Sequence, residues 1–213
     1  ESGAIVRCRD RSRRTMTMRR LGLLLLVCAL GAYWAWHNRP IERSPGVLAP
    51  DPPSQRLLDA GAPVFQKGRY HIKALAEFTL EARVLGREDY RFDSGADLAP
   101  LDLALGWGPM SDSSVLERID IQQRHRFYYW HVNDFFIPRR DIETHSANMH
   151  LIPATGYVAD RLKLIRPGHI VSLRGYLVEA HRDDGWQWRS SLSREDTGNG
   201  ACELIWVETV ALR

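Results

Sequence analysis

The chain has 213 residues, enough for one ordinary domain with extensions and too few for two large domains. Hydrophobic residues make up 44% and charged residues 26%, close to globular averages, which argues against wholesale disorder and against a polytopic membrane protein. The net charge of +3 is concentrated at one end, because residues 1–20 hold seven arginines and the rest carries slightly more acids than bases. This distribution disfavours nucleic acid as a partner, since phosphate binding requires a basic surface on the main part of the chain.

An uncharged run, LGLLLLVCALGAYWAW, follows the basic tail of residues 1–20 and predicts a helix inserted in a membrane. The run occupies Leu21–Trp36, and a helix over residues 21–37 is about as long as a bilayer core is thick. We predict an uncleaved signal anchor, because bulky Tyr33 and Trp34 stand where cleavage requires small residues. A cleaved secretory signal peptide is the alternative.

The arginines also predict the orientation of the chain. The positive-inside rule keeps the basic tail in the cytoplasm of a bacterium and exports everything after residue 37 to the periplasm. Residues 1–17 precede Met18, a conventional start for such an anchor, and are interpreted as an extension from a misassigned start. Residues 38–63 hold six of the eleven prolines and are predicted to be a Pro-rich linker. Residues 64–213 are predicted to form one periplasmic β-rich domain.

The first half of this domain is predicted to begin with a long strand. Apolar residues alternate over residues 70–84, which is the period of a half-buried strand. Residues 89–114 are predicted to be rich in loops, and residues 116–132 to form a second continuous strand. Residues 145–153 are expected to be irregular or briefly extended.

The second half predicts one short helix and then several strands. Helical spacing over Val158–Ile165 ends at Arg-Pro-Gly, a plausible terminator. Strand-like segments over residues 170–180, 186–192 and 202–212 are separated by turn signals and predict an antiparallel meander. The fold class is therefore predicted to be β-rich (all-β or α+β), with a small antiparallel OB-like barrel as the architecture that this order favours. An SH3-like barrel and an irregular α+β sandwich are the alternatives.

Cys202 is the candidate catalytic residue, as the one cysteine of the predicted periplasmic domain. A thiol nucleophile needs a base, for which His145 and His150 are candidates, and a group that orients the base, such as Asp196. The favoured interpretation is instead a small apolar residue at the start of a strand. Two histidines five residues apart point to different sides of a helix or strand, so no metal is predicted, and no cofactor either.

Three further residues are candidates for binding a polar ligand. Asn148 lies in the densest polar segment, His145–His150. Arg194 stands among hydroxyls and acids and can pair with a carboxylate or phosphate, and Trp107 stands in a Gly-Trp-Gly-Pro loop. Turn chemistry is the competing interpretation for the segment around Arg194. Aromatic residues of 127–130 alternate between two faces, which predicts either core packing or a stacking surface.

Three strings together resemble a family of single-pass, membrane-anchored proteins of Gram-negative bacteria. They are GWGPMSD from Gly106, SANMHLIP from Ser146 and GACE from Gly200. The resemblance covers about residues 64–213 and implies attachment to the inner membrane, with no activity to carry over.

The sequence thus predicts a membrane-anchored periplasmic binding or scaffolding module that is not catalytic. Its expected partners are the membrane, through Leu21–Trp36, and a protein of an envelope complex. The alternative is a tethered hydrolase or transferase that uses Cys202 with His145 or His150.

Overall fold

The computed structural model describes residues 11–37, 39–193, 195 and 202–213. The chain divides into two compact units, Glu1–Arg39 and Pro40–Arg213. Within the first unit, helix α1 (Arg11–His37) includes the predicted segment 21–37. Among the described helices, none combines the length and the apolar character needed to cross a membrane.

The second unit is β-rich, as predicted. Its ten described strands are β1 (Ser54–Leu57), β2 (Val64–Lys67), β3 (Tyr70–Asp89), β4 (Leu101–Gly106), β5 (Asp120–Arg124), β6 (Phe127–His131), β7 (Ser146–Pro153), β8 (Ile170–His181), β9 (Gln187–Arg189) and β10 (Glu203–Leu212). Its helices are α2 (Ser113–Leu116), α3 (Arg139–Thr144) and α4 (Gly156–Lys163), with a 3-10 turn over Gly108–Ser111.

Eight of these strands form one mixed sheet. β3 pairs with β4, β4 with β7 and β10 with β8, all antiparallel, whereas β7 and β10 are parallel. β8 also pairs with β3, so the pairings return to the strand from which they began. β1 and β2 add to β3, and β9 adds to β8. The strands of residues 170–212 pair antiparallel, as predicted. The predicted antiparallel barrel did not include the parallel pair of β7 and β10, which arises because the chain leaves β7 through α4, β8 and β9 and re-enters beside it in the same direction.

The long strand and the main helix were predicted correctly. β3 alternates buried and more exposed side chains along most of its length, and Phe78 and Leu80 lie in the main hydrophobic core. α4 begins where the Thr155 hydroxyl accepts a hydrogen bond from the Val158 N–H at 3.2 Å. Its buried face adds Val158 and Leu162 to the same core.

Three sequence assignments need correction. Residues 116–132 form a hairpin of β5 and β6, because the chain turns back at His125 and Arg126, both of which have positive φ. Residues 145–153 contain β7, which is mostly buried in the sheet. The loop-rich stretch contains β4, all six residues of which are buried.

The Pro-rich segment lies within the second unit. Ala49 is buried, and the Ile41 N–H donates to the Pro167 carbonyl at 2.8 Å. β1, at residues 54–57, extends the sheet on β3. The Pro-rich segment therefore contacts the domain at Ile41, at Ala49 and along β1.

Lys67, at the end of β2, ties two other segments together. Its Nζ donates to the Leu98 carbonyl at 3.3 Å and to the Pro153 carbonyl at 3.1 Å. Burial lowers the pKa of Lys67 to about 8, and Asp97 opposes part of this effect.

This lowered pKa predicts a pH dependence of stability. Between pH of about 8 and 10.5 the unfolded chain binds more protons than the folded chain, so the free energy of unfolding rises with pH. Urea unfolding of the native chain and of Lys67→Met across this range measures the effect. We expect a rise in the native chain that is smaller in Lys67→Met, and parallel curves would contradict the assignment.

Candidate functional site

The outer face of β4 and β7 is polar and buried. Leu101, Leu103 and Leu105 of β4 enter the main core, so the residues between them point to the other side of the sheet. There Asp102 stands opposite His150 in register. Both side chains are almost fully buried, which is costly unless their charges and polar atoms are partnered.

The β5–β6 hairpin covers this face, and its turn brings a cation to it. His125 and Arg126 have φ of 53° and 70°, a left-handed pair that fits a two-residue hairpin turn but strains non-glycine residues. The Arg126 backbone N–H donates to the Tyr90 hydroxyl at 2.8 Å. Burial raises the pKa of Tyr90 to about 12.

The guanidinium of Arg126 joins two carboxylates. It binds both Asp93 oxygens at 2.9 Å and Asp102 Oδ1 at 2.7 Å, and it also donates to the Ala99 carbonyl at 2.8 Å. Its carbon lies 3.6 Å from the centre of the Tyr90 ring. We call Arg126, Asp93 and Asp102 the Arg126 latch, since it fixes the hairpin to the 90–99 loop and to β4.

Electrostatic interactions within the latch keep Arg126 and Asp93 charged. Burial alone would lower the pKa of Arg126, but the contacts with Asp93 and Asp102 raise it above its usual value. Burial alone would raise the pKa of Asp93, but Arg126 and the Gly95 N–H hold it below its usual value. The pair therefore stays ionised at neutral pH, and its stabilising effect is lost only as the pH falls through the lowered pKa of Asp93.

Polar side chains extend the latch along β7. His150 Nδ1 lies 2.9 Å from Asp102 Oδ1, although the ring is not aligned for a hydrogen bond. Asn148 Nδ2 donates to the Arg126 carbonyl at 3.0 Å, and Asn148 Oδ1 accepts from Gln123 Nε2 at 2.7 Å. Asn148 thereby fixes the hairpin to β7.

Two clefts open beside the hairpin. The hairpin cleft, of about 560 Å³, lies along β6, and its other lining residues include Trp107, Phe135, Arg139, Ser146 and Asn148. The loop cleft, of about 770 Å³, is lined by residues that include Tyr90, Arg91, Phe92, His150, Trp186 and Trp188. Phe127 and Cys202 line both clefts, so these two residues stand where the clefts meet.

The structure brings together some of the predicted site residues. Cys202 and His150 both line the loop cleft, and Cys202 Sγ lies 3.9 Å from the Arg126 carbonyl. Asn148 and Trp107 line the hairpin cleft. Arg194 and Asp196 lie outside the described residues.

His145 is separate from this group. Its Nδ1 lies 2.9 Å from the Asp141 carbonyl, and its ring approaches Gly108, away from the linings of both clefts. The described part of the chain contains no group of three or more His, Cys, Asp or Glu side chains that could hold a metal ion.

The residues that organise the site were missed in the sequence. Asp93 was assigned to a turn, and Asp102 stood in a stretch assigned to loops. Arg126 lay inside an apparently continuous strand. Besides the predicted residues that line the clefts, the sequence signal for the site was the aromatic run at 127–130, which contributes to both clefts. Comparison with protein-family models, with curated proteins and with solved structures gives no match.

Proposed function

We propose that the second unit is a non-catalytic binding module built on an OB-type barrel. Two features support the barrel: the strand pairings return to β3, and α4 lies between β7 and β8. In this barrel β4 and β7 are the second and third strands, and the β5–β6 hairpin is an insertion that covers their outer face. A ligand therefore contacts the hairpin and the neighbouring loops.

The observation that carries the binding proposal is the pair of aromatic clefts held in place by the Arg126 latch. Aromatic rings that remain accessible include Tyr129 at 42%, Phe135 at 55% and Phe92 at 98% exposure. Aromatic surface of this kind supplies much of the binding energy at interfaces. Buried charge such as that of Asp102 is costly to maintain, and the latch uses it to fix the hairpin that carries Tyr129 to the 90–99 loop that carries Phe92.

We further propose that the module is attached to the bacterial inner membrane and faces the periplasm. The support is the uncharged run Leu21–Trp36 after a basic tail. Alkaline phosphatase fused after Arg213 tests this in a Gram-negative host. Activity of the fusion is expected, and an inactive fusion that is made in full would contradict export.

Photocrosslinking tests the binding proposal. p-Benzoylphenylalanine replaces Tyr129 in the hairpin cleft or, as a control, Tyr157 on α4, which is 73% exposed and lines neither cleft. In cells of the native organism we expect a discrete adduct from position 129 and not from position 157. Equal adducts from both positions, or none from position 129, would contradict the proposal.

A second candidate function, a tethered hydrolase or transferase, is favoured by one observation. Cys202 and His150 line the same cleft, and Asp102 lies beside the imidazole as an orienting group would. Alkylation of Cys202 by iodoacetamide distinguishes the two functions. If His150 activates the thiol, His150→Gln slows alkylation by about tenfold or more, whereas a binding module predicts a similar rate in both proteins.

A further inference from the structure

We infer that the hairpin cleft binds an extended acidic peptide, which adds as a strand to the free edge of β6. This inference rests on the proposed binding function and names the class of partner. Among the described strands, β6 pairs with β5 alone, so within the described residues its second edge has no strand partner. Strand addition to such an edge is a common way for a domain to bind a peptide.

The register of the hairpin identifies which backbone groups form this edge. Arg124 stands opposite Phe127 across the two-residue turn, and residues that flank such a turn exchange both of their hydrogen bonds. Bonding alternates along the hairpin, so Phe127 and Tyr129 bond to β5. The N–H and C=O groups of Tyr128 and Trp130 therefore point away from β5. Within the described chain, these groups make no hydrogen bond outside the hairpin.

The surroundings of the edge fit alternating apolar side chains. All five β6 residues line the hairpin cleft, and the exposed Phe135 faces the same space. The opposite wall includes Ser146 of β7, to which the Tyr128 hydroxyl donates at 3.2 Å. An extended peptide presents N–H and C=O groups at the spacing of the β6 edge and directs alternate side chains into the cleft.

Charge near this edge indicates that the peptide is acidic. Tyr129 lines the cleft, and the Arg124 guanidinium lies 4.9 Å from the centre of its ring. Arg124 is exposed and pairs with no carboxylate in the part of the chain that the structure describes, whereas Arg139 and Glu143 in the lining pair with each other. Aspartate or glutamate in the peptide would supply the missing partner of Arg124.

Hydrogen exchange of the full chain, followed by NMR, tests the free edge directly. Without a peptide, we expect the amides of Tyr128 and Trp130 to exchange faster than those of Phe127 and Tyr129, which bond to β5. Slow exchange at Tyr128 and Trp130 in the isolated chain would overturn the inference, because the edge would already be paired.

Selection from a phage library of random linear dodecapeptides then provides the probe. Selected peptides should be acidic with alternating apolar residues, and their binding should protect the amides of Tyr128 and Trp130. N-methylation of alternate peptide residues along one edge should weaken binding by about tenfold or more, and along the other edge by much less. Binding that is equally insensitive to both methylation patterns, or the absence of linear binders, would overturn the inference.

Two matched arginine substitutions test the charge argument. Arg124→Glu should weaken the selected peptide by about fivefold or more, and Arg174→Glu, an exposed arginine of β8, by less than about twofold. Equal effects would overturn acidic recognition. If position 129 forms crosslinks in cells but the selected peptides do not pair with β6, this inference is refuted and the proposed binding module stands. If the peptides pair with β6 but position 129 forms no crosslink in cells, the strand-addition site stands and the proposed binding function in the cell is contradicted.

Discussion

Arg126→Met is expected to lower the free energy of unfolding by about 3–5 kcal/mol. The substitution leaves Asp102, which is 0% exposed, buried without the cation that contacts it at 2.7 Å. It also releases Asp93, so the hairpin loses the side-chain bonds that attach it to the 90–99 loop. Urea unfolding, monitored by tryptophan fluorescence and circular dichroism, measures the loss.

A double variant separates the buried charge from the rest of the latch. Arg126→Met combined with Asp102→Asn removes both charges, and we expect it to recover a large part of the lost stability. Arg189→Met is the surface control, since Arg189 pairs with Glu179 at an exposed position and should change stability by less than about 1 kcal/mol. A loss in Arg126→Met as small as that of the control would contradict the role of the latch.

Gly175→Ala is expected to destabilise the sheet by about 3 kcal/mol or more, or to prevent folding. Gly175 of β8 stands opposite Val207 of β10, where the register shifts between Val207 and Thr209. An added Cβ would lie 1.8 Å from the carbonyl oxygen of Trp206, and this backbone atom can move only if β10 moves. Thermal unfolding and the yield of soluble protein measure the effect.

Gly156→Ala is the matched control for that substitution. Gly156 begins α4, and an added Cβ there meets no atom within 4 Å. Alanine should leave stability unchanged or raise it by about 0.4–1 kcal/mol, because it restricts the unfolded chain. A tolerated Gly175→Ala, with a melting temperature close to that of Gly156→Ala, would contradict the close approach of β8 and β10.

The β-rich class and several elements were predictable because their signals are local. Alternation marks β3, and an apolar helical period with a terminator marks α4. The β5–β6 turn was missed because His125 and Arg126 lack the glycine or asparagine that usually marks positive φ. Tertiary contacts hold this turn, in particular the bonds of Arg126 to Asp93 and Asp102.

The candidate site was only partly predictable for a related reason. Cys202, His150, Asn148 and Trp107 were all identified as polar or unusual positions, and the structure places each of them on a cleft. Their organiser, Arg126, binds carboxylates 24 and 33 residues away in sequence, a pairing that no local pattern encodes. β4 was missed for a different reason: its Leu-Asp-Leu-Ala-Leu-Gly alternation is short and is flanked on both sides by turn residues.

We propose that the Arg126 latch builds the binding surface along the hairpin. The most direct test is the crosslink yield from p-benzoylphenylalanine at position 129, compared between the native chain and the folded Arg126→Met, Asp102→Asn double variant. We predict a discrete adduct in the native chain and a severalfold lower yield in the double variant. An equal yield from both proteins would contradict the account.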